Sequence, residues 1–399
     1  MSDKIAKTDQ IADQDSSLET ALHMACTLMA KPSVTPREAG ALDYMEDVLK
    51  GMGFQTWRYP FGEGDARVDN LYARLGEAAP NFCFAGHVDV VPAGDMEAWI
   101  SEPYQGTLKD GKLIGRGAAD MKGAIAAYMA ALDVKLKGGW RPKGSLSFLI
   151  TCDEEGAAIN GTRKLLEAIT ETGEVIDDCL VGEPTNPQTM GEMIKNGRRG
   201  SINTVISVQG HQGHVAYPHR AVNPVPALLD ILSRLQARHL DEGTEFFQPS
   251  NLEITTIDVG NPTENVIPGE ATARFNIRFN TLHTGASLTA WIEEIIAQVA
   301  KDFDGEITGE IRVSGEAFLT EPGKLTHVVG QATEAVTGRV PALSTSGGTS
   351  DARFITHYAN VCEFGLVGAT MHQVNEHVAV SDIETLVKIY DGVLTRYFS

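Results

Sequence analysis

The sequence is short of positive charge and of long apolar runs. Its 33 Lys and Arg residues stand against 53 Asp and Glu, so the formal net charge is −20. Because such a chain repels phosphate backbones and anionic headgroups, we expect neither nucleic acid nor a membrane as a partner. No stretch approaches the roughly 18 apolar residues of a membrane-spanning helix. The first twenty residues lack the apolar core of a secretion signal. We therefore expect a cytoplasmic protein.

Cysteine is scarce as well. The five residues are Cys26, Cys83, Cys152, Cys179 and Cys362. Their number is odd, and no Cys-x-x-Cys pair is present to hold a zinc ion or to perform redox chemistry. We interpret them as buried thiols of a protein from a reducing compartment.

The chain of 399 residues is longer than one hydrophobic core usually supports, which predicts two domains. Residues 1–199 and 315–399 alternate between strand and helix patterns, which is typical of an α/β layer. Between them, residues 200–314 predict the order βαββαβ, a ferredoxin-like sandwich. Apolar and polar residues alternate along 270–280, as in a strand with one buried face. We predict a discontinuous α/β domain interrupted by an inserted domain.

One helix start is predicted with unusual detail. Thr35 is a good capping residue, Pro36 would take the first helical position, and Glu38 completes a capping box. The pattern therefore predicts a helix that begins at Thr35 and ends before Gly53.

Acidic residues and histidines follow several predicted strands or lie in a glycine-rich turn. They are His87, Asp120, Glu154, Glu155, Glu183 and His372. In an open α/β sheet, ligands bind beyond the carboxyl ends of the strands, so these side chains can converge although they are far apart in sequence. Together they would leave uncompensated buried charge unless cations were bound among them.

Two imidazoles with carboxylates suit borderline divalent ions, with Zn²⁺ first and Co²⁺ or Mn²⁺ as alternatives. Five ligands divide into two sites if one carboxylate bridges, and Asp120 is the candidate bridge. Asp89 lies two residues after His87 on an extended chain and is predicted to accept the other N–H of its imidazole. Since neighbours in an extended segment point opposite ways, one of Glu154 and Glu155 would bind metal while the other moves protons.

Five stretches resemble the di-zinc metallopeptidase family that contains aminoacylases, acetylornithine deacetylases and glutamate carboxypeptidases. They are GHVDVVP at 86–92, GRGAADMKG at 115–123, CDEEG at 152–156, GEPT at 182–185 and HQVNE at 372–376. The resemblance implies a di-zinc aminopeptidase-like catalytic domain, with a mixed sheet flanked by helices, and a role for each matching residue. One zinc would be held by His87, Asp120 and Glu183, and the other by Asp120, Glu155 and His372.

The resemblance also implies catalytic and quaternary roles. Glu154 would be the general base, and Asp89 would orient His87. The inserted domain would form a homodimer, as in the family, and would carry His214 toward the neighbouring active site, where it would stabilise the tetrahedral oxyanion. Two departures are small: Cys152 replaces a small hydroxyl residue, and Ala352 replaces a glycine.

Further stretches resemble the branch of this family that removes a succinyl group from L,L-2,6-diaminopimelate in the bacterial lysine pathway. They are KPSVTP at 31–36, KNGRRGS at 195–201, GHQGHVAYPHRAVNP at 210–224, NVIPGE at 265–270 and SGGTSDARF at 346–354. The small-molecule substrate has carboxylates far from the scissile bond, which calls for guanidinium, hydroxyl and backbone donors. The candidate substrate-binding residues are Arg199, Ser201, Tyr217, Asn265, Arg278, Gly348 and Thr349.

Two alternatives remain at this point. The chain could be another N-acyl amino-acid amidohydrolase, such as an acetylornithine deacetylase or a dipeptidase, because only acyl-pocket residues separate these activities. A non-catalytic relative that binds an amino-acid derivative would be expected to lack a ligand or the base. This chain keeps all six positions.

Overall fold

The computed structural model describes residues 2–399, with side chains described from Ser16 onward. The chain forms two compact units. The larger unit comprises Met1–Asn196, Thr320–Ser344 and Ser350–Ser399, and the smaller unit comprises Gly197–Leu319 and Thr345–Thr349. The predicted insertion, 200–314, lies inside the smaller unit. Within the described chain, no helix has both the length and the apolar content needed to cross a membrane.

The helices are α1 (Ser2–Met29), α2 (Ala41–Gly51), α3 (Lys122–Lys137), α4 (Thr162–Glu171), α5 (Pro224–Ala237), α6 (Gly285–Ala300), α7 (Lys324–Thr337), α8 (Ala352–Ile355) and α9 (Val380–Tyr397). The strands are β1 (Gln55–Phe61), β2 (Val68–Leu75), β3 (Asn81–His87), β4 (Thr107–Lys109), β5 (Lys112–Ile114), β6 (Ser145–Thr151), β7 (Asp178–Val181), β8 (Met193–Lys195), β9 (Gly197–Arg198), β10 (Gly200–Gln209), β11 (Gly213–His214), β12 (Asn251–Asp258), β13 (Val266–Ile267), β14 (Glu270–Phe279), β15 (Glu306–Gly315), β16 (Phe318–Leu319), β17 (Ala342–Ser344), β18 (Asn360–Glu363) and β19 (His377–Ala379).

The larger unit is organised around a mixed sheet. Among residues 2–399, this sheet has eight strands in the order β1-β2-β6-β3-β7-β18-β8-β17. Its central strands β6, β3, β7 and β18 run parallel. Helix α3 lies between α1 and α9 and is buried almost all round, which explains its continuous apolar sequence. Its Tyr128 ring stacks on Phe84 of β3 with ring centroids 4.1 Å apart, and this contact joins helix to sheet.

The predicted start of the second helix is wrong by one and a half turns. Helix α2 begins at Ala41, after Ala39 and Gly40, which have φ angles of 48° and 85°. These left-handed conformations cannot belong to an α-helix. Glu38 still caps the helix, because its carboxylate accepts the Leu42 N–H at 3.2 Å.

The smaller unit contains an antiparallel sheet in the order β12-β14-β10-β15. Helices α5 and α6 pack on one face of it. The chain order of these elements is the predicted βαββαβ, so the fold class is confirmed. The alternation along β14 is also confirmed, since Ala271, Ala273, Phe275, Ile277 and Phe279 are all buried against the helices.

A buried carboxylate holds together one end of the smaller unit. Asp241, in the loop after α5, accepts hydrogen bonds from Asn280 Nδ2 at 2.6 Å, Gly243 N at 2.7 Å and His283 Nε2 at 3.0 Å. Ser250 N donates to the same carboxylate at 3.2 Å. Burial alone would raise the pKa of Asp241, but hydrogen bonds from Ser250, Gly243 and Asn280 lower it to about 2.

The variant Asp241→Asn should destabilise the protein at pH 7 by about 1–3 kcal/mol, because several donors lose a charged acceptor. The pKa of Asp241 in the folded state is below the usual 3.8, so its stabilisation is present above about pH 4 and is lost as pH falls toward 2. Urea unfolding of both proteins at pH 7 and at pH 3 measures the difference. The exposed Asp304→Asn is the control, and an equal effect of the two substitutions would contradict the role of Asp241.

Candidate metal centre

Parallel strands bring the predicted ligands to one edge of the large sheet. His87 is the last residue of β3, Glu154 and Glu155 follow the end of β6, and Glu183 follows β7. His372 lies in the loop after β18. Since β3, β6, β7 and β18 run parallel, their carboxyl ends lie along the same edge.

Asp120 lies between the two histidines. Its Oδ1 is 3.1 Å from His87 Nε2, and its Oδ2 is 3.2 Å from His372 Nε2. The carboxylate of Glu183 approaches His87 Nε2 at 3.6 Å, and that of Glu155 approaches His372 Nε2 at 3.0 Å. The Asp120 carboxylate therefore contacts both histidines, one through each of its oxygens.

Two glycines create the space for the turn that carries Asp120. A Cβ atom on Gly86 would collide with the Met121 side chain, and one on Gly182 would lie 2.7 Å from Met121 Cε. Because both strand ends carry glycine, Met121 packs against the sheet and Asp120 reaches the edge. The glycines of the GHVDVVP and GEPT stretches thus have a steric function.

Two sets of three ligand atoms lie within 4.8 Å of one another: His87, Asp120 and Glu155, and His87, Glu154 and Glu183. Both Glu154 and Glu155 are therefore close to His87. The premise that they lie in an extended segment is wrong, because residues 154–157 form a turn.

Asp89 contacts His87 differently from the prediction. The atom hydrogen-bonded to His87 Nδ1 is the main-chain oxygen of Asp89, at 2.9 Å, while its carboxylate lies 3.6 Å from Nδ1. The carboxylate instead accepts the backbone N–H groups of Glu154 and Glu155, at 3.4 and 3.1 Å. Asp89 thus orients the imidazole through its backbone and holds the Glu154–Glu155 turn through its side chain.

The electrostatics of the cluster oppose full ionisation. Burial raises the pKa of Glu183 well above its usual range, and the charges of Asp120 and Glu154 raise it further. Burial likewise raises the pKa of Glu154, although His87 partly opposes this. Burial would also raise the pKa of Asp120, but hydrogen bonds from His372 and His87 lower it. A cation among these groups would remove the penalty of ionising several buried carboxylates together.

The donor set fits a borderline divalent ion. Imidazole nitrogens and carboxylate oxygens converge, and the side chains are largely buried: His87 is 1% exposed, Asp120 7% and Glu183 8%. An all-oxygen set would instead favour Ca²⁺ or Mg²⁺. With its Nδ1–H directed at the Asp89 carbonyl, a neutral His87 presents the Nε2 lone pair to the cluster.

The predicted substrate-binding and oxyanion residues all lie in the smaller unit, in three groups. Arg199, Ser201 and Arg278 form the first: Ser201 and Arg278 are paired across β10 and β14, and burial together with the charge of Arg199 lowers the pKa of Arg278. The second group surrounds the antiparallel pair of β11 and β13, where His214 is exposed and its ring centroid lies 5.6 Å from that of Tyr217. There the main-chain oxygen of Asn265 accepts the Val215 N–H at 3.1 Å. The remaining residues, Gly348 and Thr349, belong to the short segment 345–349.

The sequence motifs predicted no role for Arg116 and Glu376, although Arg116 lies in GRGAADMKG at 115–123 and Glu376 in HQVNE at 372–376. Both side chains are almost fully buried, and they form an ion pair with Arg116 Nη1 2.6 Å from Glu376 Oε2. Only their position inside the motifs could have indicated a role, because the residue type of a charged side chain does not reveal whether it is buried.

Comparison with known proteins identifies the family. The chain belongs to Peptidase family M20/M25/M40, because the sequence model of that family matches residues 83–396. The resemblance drawn from the motifs is therefore confirmed.

Individual relatives are similar over nearly the whole chain. A succinyl-diaminopimelate desuccinylase of Maricaulis maris is 59% identical over 97% of this chain and 98% of its own length. One of Rhodospirillum centenum is 57% identical, with 94% and 97% covered. The crystal structure of an M20 family metallo-carboxypeptidase, Sso-CP2 from Sulfolobus solfataricus, shares the fold with a TM-score of 0.77 at 16% identity, covering 94% and 99%.

Removal of bound metal should lower the thermal stability of the protein. An ion that binds only the folded state adds about 4 kcal/mol at roughly 1,000 times its Kd. We expect the unfolding midpoint to fall by several degrees after chelation and to recover with Zn²⁺. Differential scanning calorimetry measures this, with Mg²⁺ as the control because it prefers all-oxygen ligands. A midpoint that does not respond to Zn²⁺ would argue against a metal centre.

Proposed function

We propose that this chain is a metal-dependent amide hydrolase that converts N-succinyl-L,L-2,6-diaminopimelate and water to succinate and L,L-2,6-diaminopimelate. The reaction class rests on one observation, the Asp120 carboxylate shared between His87 and His372. The substrate assignment rests on the relatives, which are named succinyl-diaminopimelate desuccinylases at 54–59% identity.

Two divalent ions fit the cluster, with Zn²⁺ the best match to the donors and Co²⁺ or Mn²⁺ as alternatives. His87, Asp120 and Glu183 would hold one ion, and Asp120, Glu155 and His372 the other. When bound, such a pair lowers the pKa of water toward neutrality and polarises a carbonyl. The larger unit would thus be the catalytic domain.

Glu154 is the general base in this proposal. It takes a proton from the attacking water and returns it to the nitrogen of the leaving amine, so that one carboxyl group serves both transfers. Asp89 keeps Glu154 in place by accepting its backbone N–H at 3.4 Å.

The smaller unit supplies the substrate contacts and the dimer interface. Arg199 and Arg278 recognise a distal carboxylate through guanidinium groups, helped by Ser201. The remaining contacts come from Tyr217, Asn265, Gly348 and Thr349. His214 stabilises the tetrahedral oxyanion in the active site of the partner subunit. The homodimer and a cytoplasmic location complete the proposal.

Steady-state kinetics with two substrates test the assignment. The kcat/KM for N-succinyl-L,L-2,6-diaminopimelate should exceed that for N-acetylornithine by at least tenfold, and equal or greater activity on N-acetylornithine would overturn the substrate. Arg278→Ala should raise KM for the first substrate much more than for an acylated amino acid without the distal carboxylate. The exposed Arg274→Ala, on the same face of β14, is the matched control.

Substitution of the two neighbouring glutamates should separate proton transfer from metal binding. Glu154→Gln should keep both metals and lose activity by roughly 10²–10⁴-fold, because proton transfer is removed. Glu155→Gln should lose metal first, because it removes a ligand. Elemental analysis measures the metal content of both variants, and steady-state kinetics measures their kcat. A metal-depleted Glu154→Gln would mean that the two roles are reversed.

Mixed dimers should reveal whose His214 is used. A chain with His214→Ala and a chain with Glu154→Gln should each be nearly inactive as homodimers. In the heterodimer, the site with intact Glu154 receives an intact His214 from the partner, so about one working site of two should return.

Activity across mixing ratios, with heterodimers verified by mass, measures this complementation. The neighbouring exposed His219→Ala is the control and should keep activity as a homodimer. A flat activity trace would show that His214 does not act across the dimer.

A further inference from the structure

We propose that Glu376, together with Arg116, is a positioning residue that fixes the Asp120 turn relative to the His372 loop. The pair thereby sets the affinity of the metal subsite between Asp120 and His372. This inference rests on the proposed function, because it concerns the same metal centre.

The carboxylate of Glu376 is completely buried and lies in a nest of backbone donors. Its Oε1 accepts the N–H groups of Gly117 at 3.1 Å, Ala119 at 2.9 Å and Asp120 at 3.2 Å. Oriented backbone N–H groups of this kind bind anions. Because one of them belongs to Asp120 itself, any displacement of Glu376 moves the residue that faces both histidines.

Arg116 connects the nest to two further segments. Its Nη1 donates to Glu376 Oε2 at 2.6 Å and to the main-chain oxygen of Gln373 at 3.3 Å, and its Nη2 donates to the Pro92 oxygen at 3.1 Å. The guanidinium also lies 5.4 Å from the Trp99 ring centroid. Gln373 directly follows His372, so one guanidinium joins the two loops that carry Asp120 and His372.

The His372 loop needs such support because its backbone is strained. His372 and Asn375 both have φ angles of 62°, which non-glycine residues rarely adopt. Asn375 Oδ1 accepts the Ile100 N–H at 2.7 Å, and the Glu376 main-chain oxygen accepts Gly115 N–H at 2.9 Å. These bonds and those of Arg116 hold a conformation that directs His372 at Asp120.

A charged pair is needed at this position for an electrostatic reason. The Glu376 carboxylate is buried near Asp120, which carries the same charge, so it requires both the backbone donors and a guanidinium. A glutamine would keep one acceptor for the nest but would present an amide N–H₂ to Arg116, which has only donors. Glu376→Gln should therefore break the link between the loops while leaving the Asp120 side chain intact.

Titration of the metal-free full chain with Co²⁺ tests the inference, followed by calorimetry and by the visible absorption of bound Co²⁺. The wild-type chain should bind two equivalents. Glu376→Gln should bind one equivalent about 10–100-fold more weakly and should alter the absorption band, as expected when support behind a ligand is removed. Arg116→Lys keeps the charge but lacks the planar fork, and it should give an intermediate loss.

The matched control is Glu174→Gln, which removes the partner of Arg74 in another ion pair of the larger unit. It should lower the unfolding midpoint without changing Co²⁺ affinity or absorption. If Glu376→Gln and Arg116→Lys both bind two equivalents with wild-type affinity and absorption, the pair is only structural and the inference is overturned. If the wild-type chain binds no Co²⁺, the proposed function fails, and the positioning role fails with it.

Discussion

The molecule depends on bringing like charges together at the edge where the parallel central strands of the large sheet end. Asp120, Glu154, Glu155 and Glu183 meet there because β3, β6, β7 and the turn before α3 all end at that edge. Burial and the neighbouring negative charges raise the pKa values of Glu154 and Glu183, an unfavourable electrostatic arrangement that a bound cation would relieve. The buried helix α3 and the aromatic contact between Tyr128 and Phe84 provide the rigid packing that holds these groups in place.

Two carboxylates beside this cluster, Asp89 and Glu376, accept hydrogen bonds from the backbone of the turns that carry the clustered acidic residues. Asp89 receives the N–H groups of the turn that carries Glu154 and Glu155, and Glu376 receives those of the turn that carries Asp120. Two buried carboxylates thus order the two turns by the same means, hydrogen bonds from successive peptide groups. Side chains on turns are usually positioned less precisely than side chains on strands or helices, and these hydrogen bonds compensate for that.

Features that depend on periodicity and on the ends of strands could be predicted from the sequence. Features that depend on tertiary contacts could not. The alternation along β14 predicted the smaller sheet, and the predicted ligands at the ends of β3, β6 and β7 could be placed together because parallel strands share an edge. The start of α2 was misplaced because Glu38 caps Leu42 across Gly40, a geometry that the capping pattern does not distinguish. Neither the carbonyl contact of Asp89 nor the burial of Glu376 has a signature in residue type.

The two histidines of the cluster differ greatly in their access to water. The His87 side chain is 1% exposed, whereas that of His372 is 45% exposed. In the proposed two-ion centre, the His372 position would exchange its ion with solvent much faster than the His87 position. A protein with such a centre would exist as a mixture of singly and doubly loaded forms whenever free metal is limiting, and its specific activity would follow the metal supply of its surroundings.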